Sequence, residues 1–247
     1  MTRVVLPEAK LFRDVIEAVG KIAEELSIRL SQEGLSIKAL DVDQSSMIDV
    51  FFPKDMFLEY DVSDVYNIGI SVNNIGRIFK HIKKGENLAI EPEGDYVKFN
   101  IGSGGILSRK YKFRNLDVPL PEIPELSLNF TVTAKIMTQS LKKAIEDIEA
   151  IGGNTEISAT QDALIIRSSG TGRVETKFST GSQALINLEV LEPASSIYDT
   201  AKIVNILGIS KVSDMVSLQF ANKMPLKAEF SVGIGRVVYL LAPFETA

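Results

Sequence analysis

Apolar positions along the chain follow two periods that alternate in blocks. Leu11, Phe12, Val15, Val19 and Ile22 fall at helical spacing and predict an amphipathic helix over 8–23. Strand-type stretches follow at 27–31, 35–40 and 47–52. A turn at Glu33-Gly34 joins the first two, and Pro53 stops the third. A second helix is predicted over 72–83, with Ile75, Phe79 and Ile82 on one face and Gly85 closing it. Strands are then predicted at 87–91, 96–101 and 107–115, the last alternating with Tyr111 and Phe113 on one side. Residues 116–126 contain Pro119, Pro121 and Pro124, which exclude helix and central strand, so the stretch reads as an extended linker. Beyond it the order returns: helix 134–150, strands 155–159, 163–168 and 173–180, helix 197–208, strands 214–220, 226–232 and 236–241.

The return is a repeat of residues as well as of pattern. Ile16, Glu17, Ile22, Ile28, Gln32, Leu35 and Ile37 recur 129 positions later as Ile145, Glu146, Ile151, Ile157, Gln161, Leu164 and Ile166. Arg13, Ser31, Glu33 and Lys38 recur as Lys142, Thr160, Asp162 and Arg167, with their chemistry kept. A repeat of this length is a whole domain used twice. The second helices correspond at a spacing of 125: Arg77, Ile78, Phe79 and Ile82 against Lys202, Ile203, Val204 and Leu207. The expected architecture is α+β, with two similar domains of βαβββ blocks, sheets on one side and helices on the other. The expected boundaries are 1–116, a connecting loop at 117–127, and 128–247.

Composition narrows the class. The 247 residues are 45% hydrophobic and 24% charged, an ordinary globular balance. No apolar run reaches transmembrane length, and the first residues lack a signal-peptide core, so an intracellular location without membrane partners is expected. The absence of cysteine excludes disulfides and thiolate metal sites. A net charge of −5 argues against nucleic acid when taken whole, but its distribution does not. Stretches 8–23 and 133–150 are neutral, 71–84 carries +4 and 198–211 carries +1. The predicted helices therefore total +5 and the rest of the chain −10. Lys10, Arg13 and Lys21 share a face opposite the apolar stripe, as do Arg77, Lys80 and Lys84. For one helix, a solvated face is the ordinary explanation. Four related helices with outward cations are expected to form a common surface for a phosphate backbone. No aromatic residues interleave with these cations, so base stacking is not implied.

Motifs for chemistry fail. Asp41 and Asp43 supply too few oxygen ligands for a hard cation and read as a strand-end turn. The glycines at 102–105 and at 170 and 172 lack a Gly-Lys-Ser/Thr ending and a dinucleotide-fold context, so they read as hairpin turns. His81, the only histidine, sits on a basic helix without an acid in sequence reach. No catalytic centre, metal or cofactor is expected.

The chain resembles the sliding-clamp family of the archaeal and eukaryotic type, proliferating cell nuclear antigen (PCNA), from end to end. The most specific stretches are Gly34–Gln44, Leu116-Asp-Val through Ile123-Pro124, Met224-Pro-Leu226 and Tyr239-Leu-Leu-Ala-Pro243. The resemblance implies a trimeric ring, homomeric or heteromeric, around duplex DNA, with helices lining the hole and sheets outside. It implies DNA-facing roles for Lys10, Arg13, Lys21, Arg77, Lys80, Lys83, Lys84, Lys142, Lys143, Lys202 and Lys211. It also implies a pocket for Gln-x-x-aliphatic-x-x-aromatic-aromatic (PIP-box) peptides at Leu40, Gln44, Ser45, Met47, Ile123, Pro124, Pro225, Leu240, Ala242 and Pro243. Through that pocket the expected partners are DNA polymerase, clamp loader, flap endonuclease and DNA ligase. The pocket's apolar character suits a short helical turn with aliphatic and aromatic anchors.

Edge strands 108–115 and 173–180 are expected to pair across subunits, with Lys110, Tyr111, Phe113, Val174, Thr176 and Phe178 at that contact. Asp14, Gly20 and Glu146 depart from the basic residues frequent in relatives, and Leu240 from a common aromatic one. The implied role is a non-enzymatic processivity factor, cytoplasmic and nucleoid-associated in an archaeon or nuclear in a eukaryote. Alternatives are a checkpoint-type clamp, a paralogue subunit of a heterotrimeric clamp, and a hydrolase using Asp41 and Asp43.

Overall fold

The computed structural model describes residues 2–103, 107–121 and 128–244. They form two compact units. The first comprises Met1–Val42, Ile48–Glu122 and Val232–Arg236, and the second Asp43–Met47, Ile123–Ser231 and Val237–Ala247. The first copy of the repeat runs β1 (Arg3–Leu6), α1 (Ala9–Val19), β2 (Glu25–Leu30), β3 (Gly34–Leu40), β4 (Ser46–Pro53), β5 (Glu59–Asp61), β6 (Tyr66–Ser71), α2 (Val72–Phe79), β7 (Asn87–Glu93), β8 (Tyr96–Ser103) and β9 (Leu107–Arg114). The second runs β10 (Val132–Met137), α3 (Thr138–Ile151), β11 (Thr155–Thr160), β12 (Ala163–Ser168), β13 (Glu175–Ser179), β14 (Leu185–Val190), β15 (Ala194–Tyr198), α4 (Thr200–Ile206), β16 (Met215–Phe220), β17 (Leu226–Val232) and β18 (Gly235–Leu241).

Strand order shows that the duplication is topological. The first copy has the orders β5-β1-β7-β8-β9 and β4-β3-β2-β6; the second has β14-β10-β16-β17-β18 and β13-β12-β11-β15. Each position in one copy has its counterpart in the other. Four βαβββ blocks are present as expected, with β5 and β14 inserted after the first and third. Strands β9 and β13 each end a sheet, so each presents an unpaired edge among the described residues.

Helix boundaries differ from the sequence reading, for local reasons. The helix expected from 134 begins at Thr138, because Val132–Met137 is strand β10. Val132, Ala134 and Ile136 are buried and alternate with outward Thr133 and Lys135, a period of two. Lys135 is therefore paired in a sheet, opposite Asn187 and Ser217, and the helix total falls from +5 to +4 without it. The fourth helix starts at Thr200, where the Asp199 carboxylate caps the Ala201 and Lys202 amides at 2.8 and 3.4 Å. The first two helices end at Val19 and Phe79 and pass into turns, with the Gly20 amide donating to the Ile16 carbonyl at 2.9 Å. Strands β1, β5, β6, β14 and β15 had no predicted counterpart.

In the first unit the helices lie on the sheets through a row of phenyl rings. Phe12 of α1 meets Phe79 of α2 at 5.9 Å, Phe79 meets Phe99 of β8 at 6.1 Å, and Phe99 meets Phe113 of β9 at 6.1 Å. All three contacts are edge-to-face, and each contributes about 0.5–1.5 kcal/mol beyond burial of area. Two glycines permit close approaches. A Cβ on Gly20 would lie 2.3 Å from Val72 Cγ1, and one on Gly69 would lie 2.0 Å from the Leu116 carbonyl oxygen. Gly20 therefore has no room for the basic side chain that the family resemblance suggests there. Gly20→Ala should destabilise the chain by about 1–3 kcal/mol through overpacking of α1 against Val72. A chemical-denaturation midpoint equal to that of the native chain would refute this steric account.

Candidate nucleic-acid and partner interface

The expected DNA-facing cations have unequal surroundings. On α1, Lys10 donates to the Asp14 carboxylate at 2.6 Å, and Arg13 Nε and Nη2 donate to it at 2.9 and 2.7 Å. Asp14 is 1% exposed, so it is a buried ionic anchor rather than a lining position. Burial pushes its carboxyl up, but hydrogen bonds and charge from Lys10 and Arg13 outweigh that and hold it below the ordinary carboxylate range. Arg13 is half-buried and lies 3.4 Å from the Ile82 carbonyl, which ties α1 to the turn after α2. On α3, Lys142 faces Glu146 at 3.7 Å, one helical turn on, while Lys143 is exposed. On α4, Lys202 donates to both carboxylate oxygens of Asp43 at 2.6 Å and to the Ser45 hydroxyl. Lys211 is exposed in the 3-10 turn after α4.

The contrast is α2. Arg77, Lys80, Lys83 and Lys84 lie on its last turn and the segment after it, all exposed and without an ion pair among the described residues. Lys21, in the turn after α1, is likewise exposed and without an ion pair among the described residues. Cations near a helix C-terminus also complement the helix dipole, which steadies the arrangement without consuming their charge. His81 is exposed beside them, and its carbonyl accepts from Arg109 Nη1 at 2.9 Å.

The expected peptide-site residues fall into three groups. Leu40 ends β3 in the first unit. Gln44, Ser45, Met47, Pro225, Leu240, Ala242 and Pro243 belong to the second unit, and Ile123 and Pro124 lie outside the described residues. Two members are joined directly, since the Ala242 amide donates to the Ser45 carbonyl at 2.8 Å. Gln44 adopts φ 57°, in the left-handed region that few non-glycine residues occupy. Leu240, Met47, Pro225 and Pro243 are half-buried, so their apolar surface is only partly covered. The Lys202–Asp43 pair was missed by sequence reasoning. Its members are 159 positions apart, and no local signal joins them.

The two edge strands carry alternating faces. On β9, Tyr111 and Phe113 point inward opposite Phe99 and Val97, while Lys110, Lys112 and Arg114 are exposed. Lys112 is engaged by Glu93 at 2.8 Å and by the Tyr96 ring at 4.5 Å. Hydrogen bonds from Lys112 and Lys98 bring the half-buried Glu93 carboxyl down to about 2. On β13, Phe178 is buried opposite Leu164, with Thr176 opposite Ile166 and Val174 just before the strand. Among the described residues no cluster of three or more His, Cys, Asp or Glu is placed to hold a metal ion, and Asp43 is taken up by Lys202. No helix among the described residues is long and apolar enough to cross a membrane.

Two units of matching strand order, each with paired helices against its sheets and an open edge strand, define the DNA-clamp class of α+β fold. Comparison with known proteins gives the same class. The family described as "Proliferating cell nuclear antigen, N-terminal domain" matches residues 1–115. The chain is 35% identical over 243 residues to DNA polymerase sliding clamp 1 of Aeropyrum pernix, covering 96% of this chain and 97% of that one. It is 31% identical to DNA polymerase sliding clamp 1 of Sulfolobus acidocaldarius, covering 98% of each. Its fold superposes on a chain of the PCNA2-PCNA3 complex of Sulfolobus tokodaii with a TM-score of 0.91, at 26% identity and 98% coverage of both. It also superposes on PCNA of Thermococcus kodakaraensis with a TM-score of 0.92, covering 99% and 100% of the two chains, a likeness of fold at 24% identity. The chain belongs to the PCNA family of DNA polymerase sliding clamps.

The Asp14 anchor has a definite pH sign. Its folded-state carboxyl lies below the ordinary value of 3.8, so its stabilisation is fully present above that value and is lost as pH falls through the folded value. Asp14→Asn should cost about 2–4 kcal/mol at neutral pH, because it leaves Arg13 half-buried without its carboxylate. The difference from the native chain should shrink as pH falls below 3.8 and through the lower folded-state value. Urea midpoints of the two chains across pH 2–7 measure this; a gap that stays constant with pH rules out the ionic anchor.

Proposed function

We propose that this chain is one subunit of a closed ring that encircles duplex DNA, without sequence preference and without catalysis of its own. The observation that carries the reading is the unpaired cation cluster of α2 and its following turn, Arg77, Lys80, Lys83 and Lys84. A sliding protein needs contacts that centre the duplex without fixing a register, and exposed, salt-screened cations supply that. Topology then replaces affinity. Peptide tails of DNA polymerase, clamp loader, flap endonuclease and DNA ligase dock at the site around Gln44, Met47, Leu240 and Pro243. Tethering raises their effective concentration at the primer end. The archaeal relatives favour a cytoplasmic, nucleoid-associated setting.

Ring closure by edges β9 and β13 is heterologous, because the two edges differ. One observation favours a paralogue as the neighbour. Lys110 and Arg114 on β9, and Arg173 and Lys177 at β13, make no ion pair among the described residues, and Glu175 is the one acid between the latter two, so self-pairing sets mostly like charges together. A neighbour with an acidic edge would remove the conflict. That fits the S. tokodaii structure, in which two different PCNA chains form a complex.

Three measurements test these readings. With a clamp loader, the assembled ring should stimulate its polymerase on primed circular DNA and lose the effect on linear DNA with free ends. Equal stimulation on both removes topological linkage. Lys80→Ala with Lys84→Ala should lower the slope of log affinity against log salt by about 2, at roughly 0.9 per phosphate contact. An unchanged slope excludes α2 from the DNA surface. Light scattering of the isolated chain at physiological salt should give a mass below that of a trimer; a stable homotrimer defeats the paralogue reading but leaves the ring intact.

A further inference from the structure

Lys202 is the repeat counterpart of Arg77, yet its surroundings are different. Arg77 is exposed on α2, whereas the Lys202 side chain is only 20% exposed and its ammonium grips the turn that follows β3. That turn is held at several points. Lys202 donates to both Asp43 carboxylate oxygens and to the Ser45 hydroxyl, and the Ser45 hydroxyl donates to Asp43 Oδ1 at 3.1 Å. The Ala242 amide fixes the Ser45 carbonyl. Between the two held residues sits Gln44, in a left-handed conformation that a non-glycine residue keeps only where its neighbours enforce it.

The base of the lysine is also fixed. Asp199 caps the first turn of α4, and the Tyr239 hydroxyl, on a residue 1% exposed, donates to the Lys202 carbonyl at 2.9 Å. Tyr239 immediately precedes Leu240 on β18. One residue thus links the start of α4, the end of β18 and the 43–45 turn, and all three segments belong to the second unit. Holding a recognition turn in its bound shape reduces the ordering cost of binding.

We propose that Lys202 is a positioning residue for the partner-peptide site: it sets the conformation of the Asp43–Ser45 turn and so presents Gln44 to the incoming peptide. The inference rests on the peptide-site reading above. Its chemistry is a charge-assisted tether to a largely exposed carboxylate, so it is sensitive to salt.

The test is calorimetric titration of the full chain with a synthetic Gln-Ala-Ala-Leu-Ala-Ala-Phe-Phe peptide. Lys202→Ala and Asp43→Asn should each weaken binding about three- to tenfold, and the double variant no more than either alone. Lys202→Arg should keep most of the affinity, and the exchanged pair Lys202→Asp with Asp43→Lys should recover it. Between low and high salt the native affinity should fall more than that of Lys202→Ala. A native chain that fails to bind the peptide removes the peptide-site reading itself. Native binding with Lys202→Ala unchanged, or with additive single losses, overturns only the role given to Lys202.

Discussion

The edge-to-face row Phe12–Phe79–Phe99–Phe113 is the contact on which the first unit depends. Two short helices have little stability of their own and must be held by packing. The row passes from α1 to α2, to β8 and to the edge strand β9, so it locks the helix layer and sets the inner face of the edge. Everything assigned to that unit follows from it. The α2 cations are presented outward because Ile75 and Phe79 face inward, and Lys110 is presented outward because Tyr111 and Phe113 do not. Among the described residues the second unit has no ring pair. Leu141 and Val204 occupy the repeat positions of Phe12 and Phe79, so the ring row has no counterpart, and the buried Tyr198, Phe220, Phe230 and Tyr239 of that unit pack singly among aliphatic side chains. Duplication preserved the topology and relaxed the packing chemistry.

Legibility in the sequence followed the range of the forces involved. Strands β2, β3, β11 and β12 are easily read because each alternates over several residues and recurs 129 positions away. Residues 134–137 were misread because Ala, Lys, Ile and Met suit a helix by propensity, while sheet neighbours on both sides settle them as a strand. Strands β1 and β5, of four and three residues, are too short for a period to show, and β14 buries only Leu185 of its six residues. Asp14 looks like a surface carboxylate because it lies between cations on a helix; only the folded chain shows that those cations close over it. The Lys202–Asp43 contact joins positions that no periodicity connects.

The charge pattern changes meaning once partners are assigned. Counted along the sequence, basic residues on all four helices look equivalent. In the fold, α1 spends Lys10 and Arg13 on an internal anchor, α3 sets Lys142 against Glu146, α4 directs Lys202 to a turn, and α2 alone keeps a cluster of unpaired cations. The repeat therefore supplies a common scaffold, and each copy has put the same kind of residue to a different use. A buried carboxylate at position 14 serves stability through its cations, whereas exposed lysines at 80, 83 and 84 add almost nothing to stability and remain available for a polyanion.

The two unpaired edges have a consequence for supply. If β9 of one subunit joins β13 of the next, as proposed above, an open dimer with one such joint leaves one edge of each kind exposed. Any open intermediate therefore keeps two sticky ends, whatever its length, and only closure removes them. If the neighbours are separate gene products, excess of one accumulates as orphan chains with bare hydrogen-bonding edges. Balanced production of subunits, rather than affinity at a single joint, then decides how much of this protein reaches its finished form.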